Sequence, residues 1–196
     1  MALSISRTVP VLLAALAIAG CGRSDRARDM AEAEAKKTPR EASVTVPAPA
    51  PVHSAADFVA RASAGDLFEV QSGQLAQGRA ASPEVKAFAA NLVRDHTRSS
   101  QELKKAVAES GQSIGAGQAA TAELQAAMTA MTAAAPGEFD RAFMRAQVNA
   151  HEQALALLQA YAQDGDVPAL KAYASEAAGV VLHHLKDARQ LAEQVG

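Results

Sequence analysis

Pro83-Glu-Val-Lys-Ala-Phe-Ala-Ala-Asn-Leu-Val-Arg-Asp-His96, running on to Val107, decides how the chain folds. Ser82 is an N-cap residue, and Pro83 suits the first helical position, where its missing N–H costs nothing. Behind them Ala89, Val93, His96, Ser100, Leu103 and Val107 recur at alternating spacings of four and three. That is one apolar stripe of a long helix, with a histidine in its middle.

Two later stretches repeat the arrangement. Met144, Val148, His151, Leu155, Leu158 and Ala162 form one seam; Leu170, Ala174, Ala177, Val181, His184, Ala188 and Leu191 form another. An earlier helix begins at Ser54-Ala-Ala-Asp57, which reads as a capping box, and runs to about Gly78, carrying Glu69. The second helix stops near Gly111, and a short helix is expected over about Gln118–Met131. The third long helix follows Pro136-Gly137 and runs to about Gln163. Asp164-Gly165-Asp166 makes a turn, and the fourth runs from Val167 to the end.

The connections set the topology. Helices one and two are joined by a few residues, as are three and four, so each pair forms an antiparallel hairpin. Gly111–Pro136 is long enough to cross the length of a bundle and make helices two and three parallel. An all-α, ferritin-like four-helix bundle, two hairpins joined by a crossover carrying a short extra helix, is therefore expected.

Upstream the composition changes. Residues 1–20 read as a lipoprotein signal peptide, with Arg7 as its positive charge and Val9–Ala19 as its apolar run. That run is far short of the ~20 residues a membrane-spanning helix needs. Ile18-Ala19-Gly20-Cys21 looks like a lipobox, with Cys21 as the acylated residue; an ordinary signal followed by a stray cysteine is the other reading. Cys21 is the chain's single cysteine, so acylation would leave no thiol for disulfides or thiolate chemistry. Gly22, rather than aspartate, after Cys21 favours the outer membrane by Gram-negative sorting rules. Residues 21–53, with Pro39, Pro47, Pro49 and Pro51, form a lipidated cysteine and flexible tether spanning ~30 Å. Residues 54–196 form the folded domain. Removing Met1–Gly20 takes Arg7 from 19 Lys+Arg against 21 Asp+Glu, moving the formal charge from −2 to −3. With no basic patch, nucleic acid is not an expected partner. The expected location is the cell envelope, lipid-anchored at the outer membrane and facing the periplasm, with an envelope protein as a candidate partner.

The interior offers Glu69, His96, His151 and His184 as candidate ligands for one transition metal ion. Facing helices of a bundle are where such sites are built. The residues three before each histidine are Val93, Val148 and Val181, so the Glu-x-x-His di-iron signature is missing. A set of imidazoles and one carboxylate suits zinc, copper, nickel or ferrous iron alike. Counting from the turns puts Glu69 and His96 level, His151 near mid-bundle, and His184 ~7 Å from it along the axis. The alternative is a non-catalytic structural or interaction module in which neighbours satisfy each histidine. Asp95 is read as half of a surface pair with Arg94 or Arg98, His183 and His53 as solvated, and Met128 and Met131 as gap-filling core. No nucleophile elbow, phosphate loop or thiol supports an enzyme.

Phe58-Val59, Gly65-Asp-Leu-Phe-Glu69-Val70, Val85-Lys86-Ala-Phe88-Ala89, Asp95-His96 and Glu102-Leu103 carry a resemblance, continued in Phe139-Asp140, Phe143-Met144, Val148, His151, Leu170-Lys171 and His184-Leu185. Over Asp57–Leu191 the sequence resembles a bacterial ferritin-like family known as domain of unknown function 4142, often called a predicted outer-membrane protein. The resemblance implies the helical fold and puts the family's recurrent acid at Glu69, its Asp-His pair at Asp95-His96 and its later histidines at His151 and His184. It implies no activity. Ala178-Gly179 stands where the family commonly has Leu-Pro.

Overall fold

The computed structural model describes residues 54–115 and 120–196. Residues 1–53, with the signal, Cys21 and the tether, lie outside them, as does His53. The described residues are all-helical, and no helix among them is long and apolar enough to cross a membrane.

Four long helices dominate: α1 (Ala55–Arg79), α2 (Pro83–Glu109), α4 (Phe139–Asp164) and α5 (Pro168–Val195). The short α3 (Ala122–Ala133) and a 3-10 turn (Pro136–Glu138) precede α4. Local signals set these limits. The Ser82 hydroxyl accepts from the Glu84 and Val85 N–H groups and starts α2. At the other end Gly111 adopts φ 65°, the left-handed conformation that closes a helix at little cost for glycine. Two expectations need correction. Ser54 caps α1 through its backbone alone, and Asp57 pairs with Arg61 at 3.7 Å instead of completing a capping box. The short helix starts later than Gln118, because the Thr121 hydroxyl accepts from Leu124 N–H and fixes its first turn. Through Ala178-Gly179, α5 continues unbroken.

α1 packs along α2 and α4 along α5; α2 also lies against α5, and α1 against α4. Asp140, in the first turn of α4, accepts from the backbone N–H groups of Ala81 and Ser82 at 2.8–3.2 Å. The start of α4 therefore sits beside the α1–α2 turn, where α2 also begins. Helices α2 and α4 run the same way, and the intervening chain returns the length of the molecule. Arg79 anchors its last part, donating to the carbonyls of Met131, Thr132 and Ala134 at 2.6–2.9 Å and stacking over Phe139.

The apolar interior divides in two. One cluster gathers Phe58, Leu103, Leu158, Tyr161, Leu170 and Tyr173 near the α4–α5 turn, with Phe58 stacked on Tyr161 at 4.0 Å between centroids. The other gathers Phe68, Val85, Leu92, Met131, Phe139 and Phe143 near the α1–α2 turn. Fully burying such side chains contributes ~1.5–3 kcal/mol each. Between the clusters lies a buried polar layer: Asp66, Glu69, Ser72, His96, Gln147, His151 and His184.

Candidate metal centre

Each long helix contributes to that layer from its inward stripe: Asp66 and Glu69 from α1, His96 from α2, Gln147 and His151 from α4, and His184 from α5. The three imidazoles meet at its centre. Their ring centroids are 5.5–5.6 Å apart, and one ring nitrogen of each lies within 4.8 Å of one on each of the others. All three residues are at most 5 % exposed.

Every ring is held from outside by an oxygen. His96 Nδ1 donates to Asp66 Oδ1 at 2.9 Å. His151 Nδ1 donates to the backbone carbonyl of Gln147 at 2.9 Å. His184 Nε2 donates to Asp95 Oδ2 at 3.1 Å. Because these partners are acceptors, the outer nitrogen of each ring carries a proton, and in a neutral imidazole the other nitrogen is a lone pair. Those other nitrogens, Nε2 of His96, Nε2 of His151 and Nδ1 of His184, are buried and have no hydrogen-bond partner. Three imidazoles, each with one buried and unpartnered nitrogen, thus converge in the interior. Orientation of metal-binding histidines through the opposite nitrogen is a recurrent feature of metal centres.

The electrostatics follow. Burial, with the neighbouring His96 and His184, pushes His151 down to about 3. Burial and His96 also lower His184, against the pull of Asp95. For His96 burial works downward too, but the hydrogen bond to Asp66 and the Glu69, Asp66 and Asp95 carboxylates outweigh it, and its value rises. His96 therefore takes up a proton more readily than a free imidazole, and His151 and His184 less readily. Asp95 is exposed to burial's upward push, yet hydrogen bonds from Arg94, His184 and Arg98 hold it at about 2.

Glu69 shares the layer without joining the trio. Its Oε1 stands 3.6 Å from Nδ1 of His151, the outer nitrogen, while Oε2 is buried without a partner. Burial raises this carboxyl to about 7, against the opposing pull of His96. Gln147, fully buried, donates to the Ser72 hydroxyl at 3.0 Å.

Of the four residues expected at the site, the structure brings three imidazoles together and holds Glu69 beside the outer face of His151. The expected stagger of His184 is not found. In an antiparallel pair the Cα–Cβ bonds of both helices tilt toward their own N-termini, so His151 and His184 lean toward each other and close the gap. Asp95 does pair with Arg94 and Arg98, at 3.0 and 2.7 Å, and in addition orients His184. Asp66 was missed, although it and His96 stand equally far either side of Ala81, the centre of the hairpin turn. His183 is exposed, 3.5 Å from Asp187. Met131 is buried in the apolar cluster and Met128 packs against it, as expected of gap-filling core.

A cleft of about 540 Å³ reaches this layer from the surface, touching Asp66, Glu69, His96 and His151. Its lining also includes Arg61, Glu102, Glu123, Tyr173 and Glu176.

No curated protein matches the chain in sequence. Among solved structures, CopM in the Cu(II)-bound form is similar in fold, with a TM-score of 0.60 and 18% identity over 72% of this chain and 97% of that one. A family model described as "Domain of unknown function (DUF4142)" matches residues 31–191, and the chain belongs to that family.

Proposed function

We propose that residues 54–196 form a ferritin-like four-helix bundle that binds or buffers one transition metal ion through His96, His151 and His184. The observation that carries this reading is the convergence of three buried imidazole nitrogens that have no hydrogen-bond partner. The protein groups around them leave those acceptors unsatisfied, at a cost of ~1–3 kcal/mol each where water does not reach them. A cation resolves all three at once. Copper leads the candidates, ahead of zinc, nickel and ferrous iron. Imidazole ligands suit it, it stands at the top of the divalent affinity order, and the fold resembles a protein described in a Cu(II)-bound form. The proposed setting is the cell envelope: a signal peptide over residues 1–20, acylation at Cys21, and a tether holding the domain off the outer membrane in the periplasm. The apolar run, the lipobox-like Ile18-Ala19-Gly20-Cys21 and the proline-rich segment support that setting.

The test is the metal content of the untagged protein, purified without chelator and titrated with copper(II), zinc and ferrous iron. The expected result is one ion per chain, lost in His96→Ala and His151→Ala, with melting raised by the ion in the unaltered protein. At a free-ion concentration of 100 Kd the stabilisation is ~2.7 kcal/mol. Protein that holds no metal and melts identically with every ion would sink the reading and favour a structural or partner-binding module.

A further inference from the structure

We propose that an ion held by the three imidazoles keeps one coordination position open toward the cleft, and that this position takes a small exchangeable donor ligand. Water would occupy it at rest, and a monodentate anion would replace it. This rests on the metal reading above and adds what that reading leaves undecided, namely whether the centre is closed or reactive toward small molecules. Closed structural sites take four ligands from the protein, whereas reactive ones take three and leave a place for water or substrate.

Three observations argue for the open form. First, among the described residues the group able to share one ion consists of His96, His151 and His184 alone. Second, two of the nearby carboxylates are engaged elsewhere. Asp66 and Asp95 accept from the outer nitrogens of His96 and His184. Glu69 holds Oε1 3.6 Å from the outer nitrogen of His151 and does not belong to the group that could share the ion. Third, the surface cleft touches His96 and His151 directly. At about 540 Å³ it far exceeds the ~30 Å³ a water occupies and falls within the range of small-molecule sites. Apolar side chains such as Ala154, Leu158 and Val181 line part of it, with Ser99 and Tyr173 as polar groups. The Tyr173 and Ser99 hydroxyls already bond each other at 2.8 Å, so the wall presents a fixed polar edge rather than a competing ligand.

Binding at the position is ligand exchange: the donor's lone pair enters the ion's coordination sphere, a water leaves, and no electron is transferred. Azide serves as the probe. The untagged protein is loaded with one equivalent of copper(II), freed of excess metal, and titrated with azide while charge-transfer absorption and electron paramagnetic resonance are followed. Water-proton relaxation reports the resting water. The expected outcome is a saturable new absorption at one azide per copper, a shifted resonance, copper retained after gel filtration, and a relaxation enhancement that azide removes. A nitrogen-coordinated copper signal that azide leaves unchanged would overturn the inference, because the site would then be closed. Azide silent in the unaltered protein but active in Glu69→Gln would overturn it too, by showing that Glu69 fills the fourth position. Failure of the metal reading itself is seen earlier, as copper that does not bind or that survives His96→Ala and His151→Ala.

Discussion

Asp66 accepts a 2.9 Å hydrogen bond from His96 across the α1–α2 hairpin, and both side chains are buried. Its other oxygen accepts from the Ser100 hydroxyl at 3.3 Å. The pair puts a proton on Nδ1 of His96 and leaves Nε2 buried without a partner. Replacing Asp66 with asparagine keeps an acceptor of the same shape and removes the charge that makes the ring more basic. Metal affinity should fall ~10–100-fold, with the fold retained. Isothermal titration with copper(II), beside the circular dichroism spectrum, checks this. Unchanged affinity would mean that Asp66 only fills space.

Metal-free protein should lose stability on acidification in a way that depends on His151. Its folded value, about 3, lies below the ordinary 6.5, so the unfolded chain takes up the proton first. That contribution is fully present above pH 6.5 and is lost as the pH falls toward 3, with a slope of up to ~1.4 kcal/mol per pH unit. Glu69 has the opposite sign. Raised from 4.5 to about 7, it contributes below pH 4.5 and loses that contribution as the pH rises through 7. The two oppose each other between pH 4.5 and 6.5; below pH 4.5 Glu69 no longer offsets His151, and Asp95, held at about 2 against an ordinary 3.8, adds its own loss. Thermal melts of chelator-treated protein should therefore vary little over the middle range and fall below it. In His151→Leu the acid limb should be shallower. Equal acid limbs in both proteins would show that His151 is not buried neutral.

Much of the fold is legible in the sequence, because helical periodicity and connection length are local or additive properties. The seams of α2, α4 and α5 contain the buried His96, His151 and His184, and the short and long connections decide which helices pair. The site is less legible. Its central members sit on stripes and are found by periodicity, but their partners depend on interhelical register. Asp66 and Glu69 lie one turn apart on α1, and an error of three residues selects the wrong one as the mate of His96. The apparent stagger of His184 fails for a related reason: residue counting places Cα atoms, whereas ring positions depend on the tilt of the Cα–Cβ bonds. The Gln147 backbone carbonyl accepts from His151 Nδ1, a role its side-chain type does not announce.

Gly73 sets how closely α1 and α2 approach beneath the polar layer. A Cβ added there would lie 2.8 Å from Val93 Cγ2 and 2.9 Å from the Ala89 carbonyl oxygen. The valine methyl can give way, but the backbone oxygen cannot without moving the helix. Gly73→Ala should cost ~1–3 kcal/mol through overpacking, partly offset by alanine's ~1 kcal/mol better helix propensity. Urea denaturation should show a lower midpoint with an unchanged slope. A midpoint at or above that of the unaltered protein would mean that the two helices have room to separate.

The cleft also gives a kinetic expectation. Glu102 on α2 and Glu176 on α5 are exposed and line the cleft that reaches His96. Both carboxylates stand outside the imidazole trio, so they act on an incoming cation through the field rather than by coordination. Acidic groups along a cleft raise the local concentration of cations, and the effect is screened by salt. In the double variant Glu102→Gln, Glu176→Gln, copper(II) association at low ionic strength should slow ~3–10-fold, while dissociation changes little. The difference should shrink as salt is added. Stopped-flow association and chelator-driven release measure the two rates separately. Slower release with unchanged association would place these residues at the bound ion. No change in either rate would show that these two carboxylates do not steer the ion.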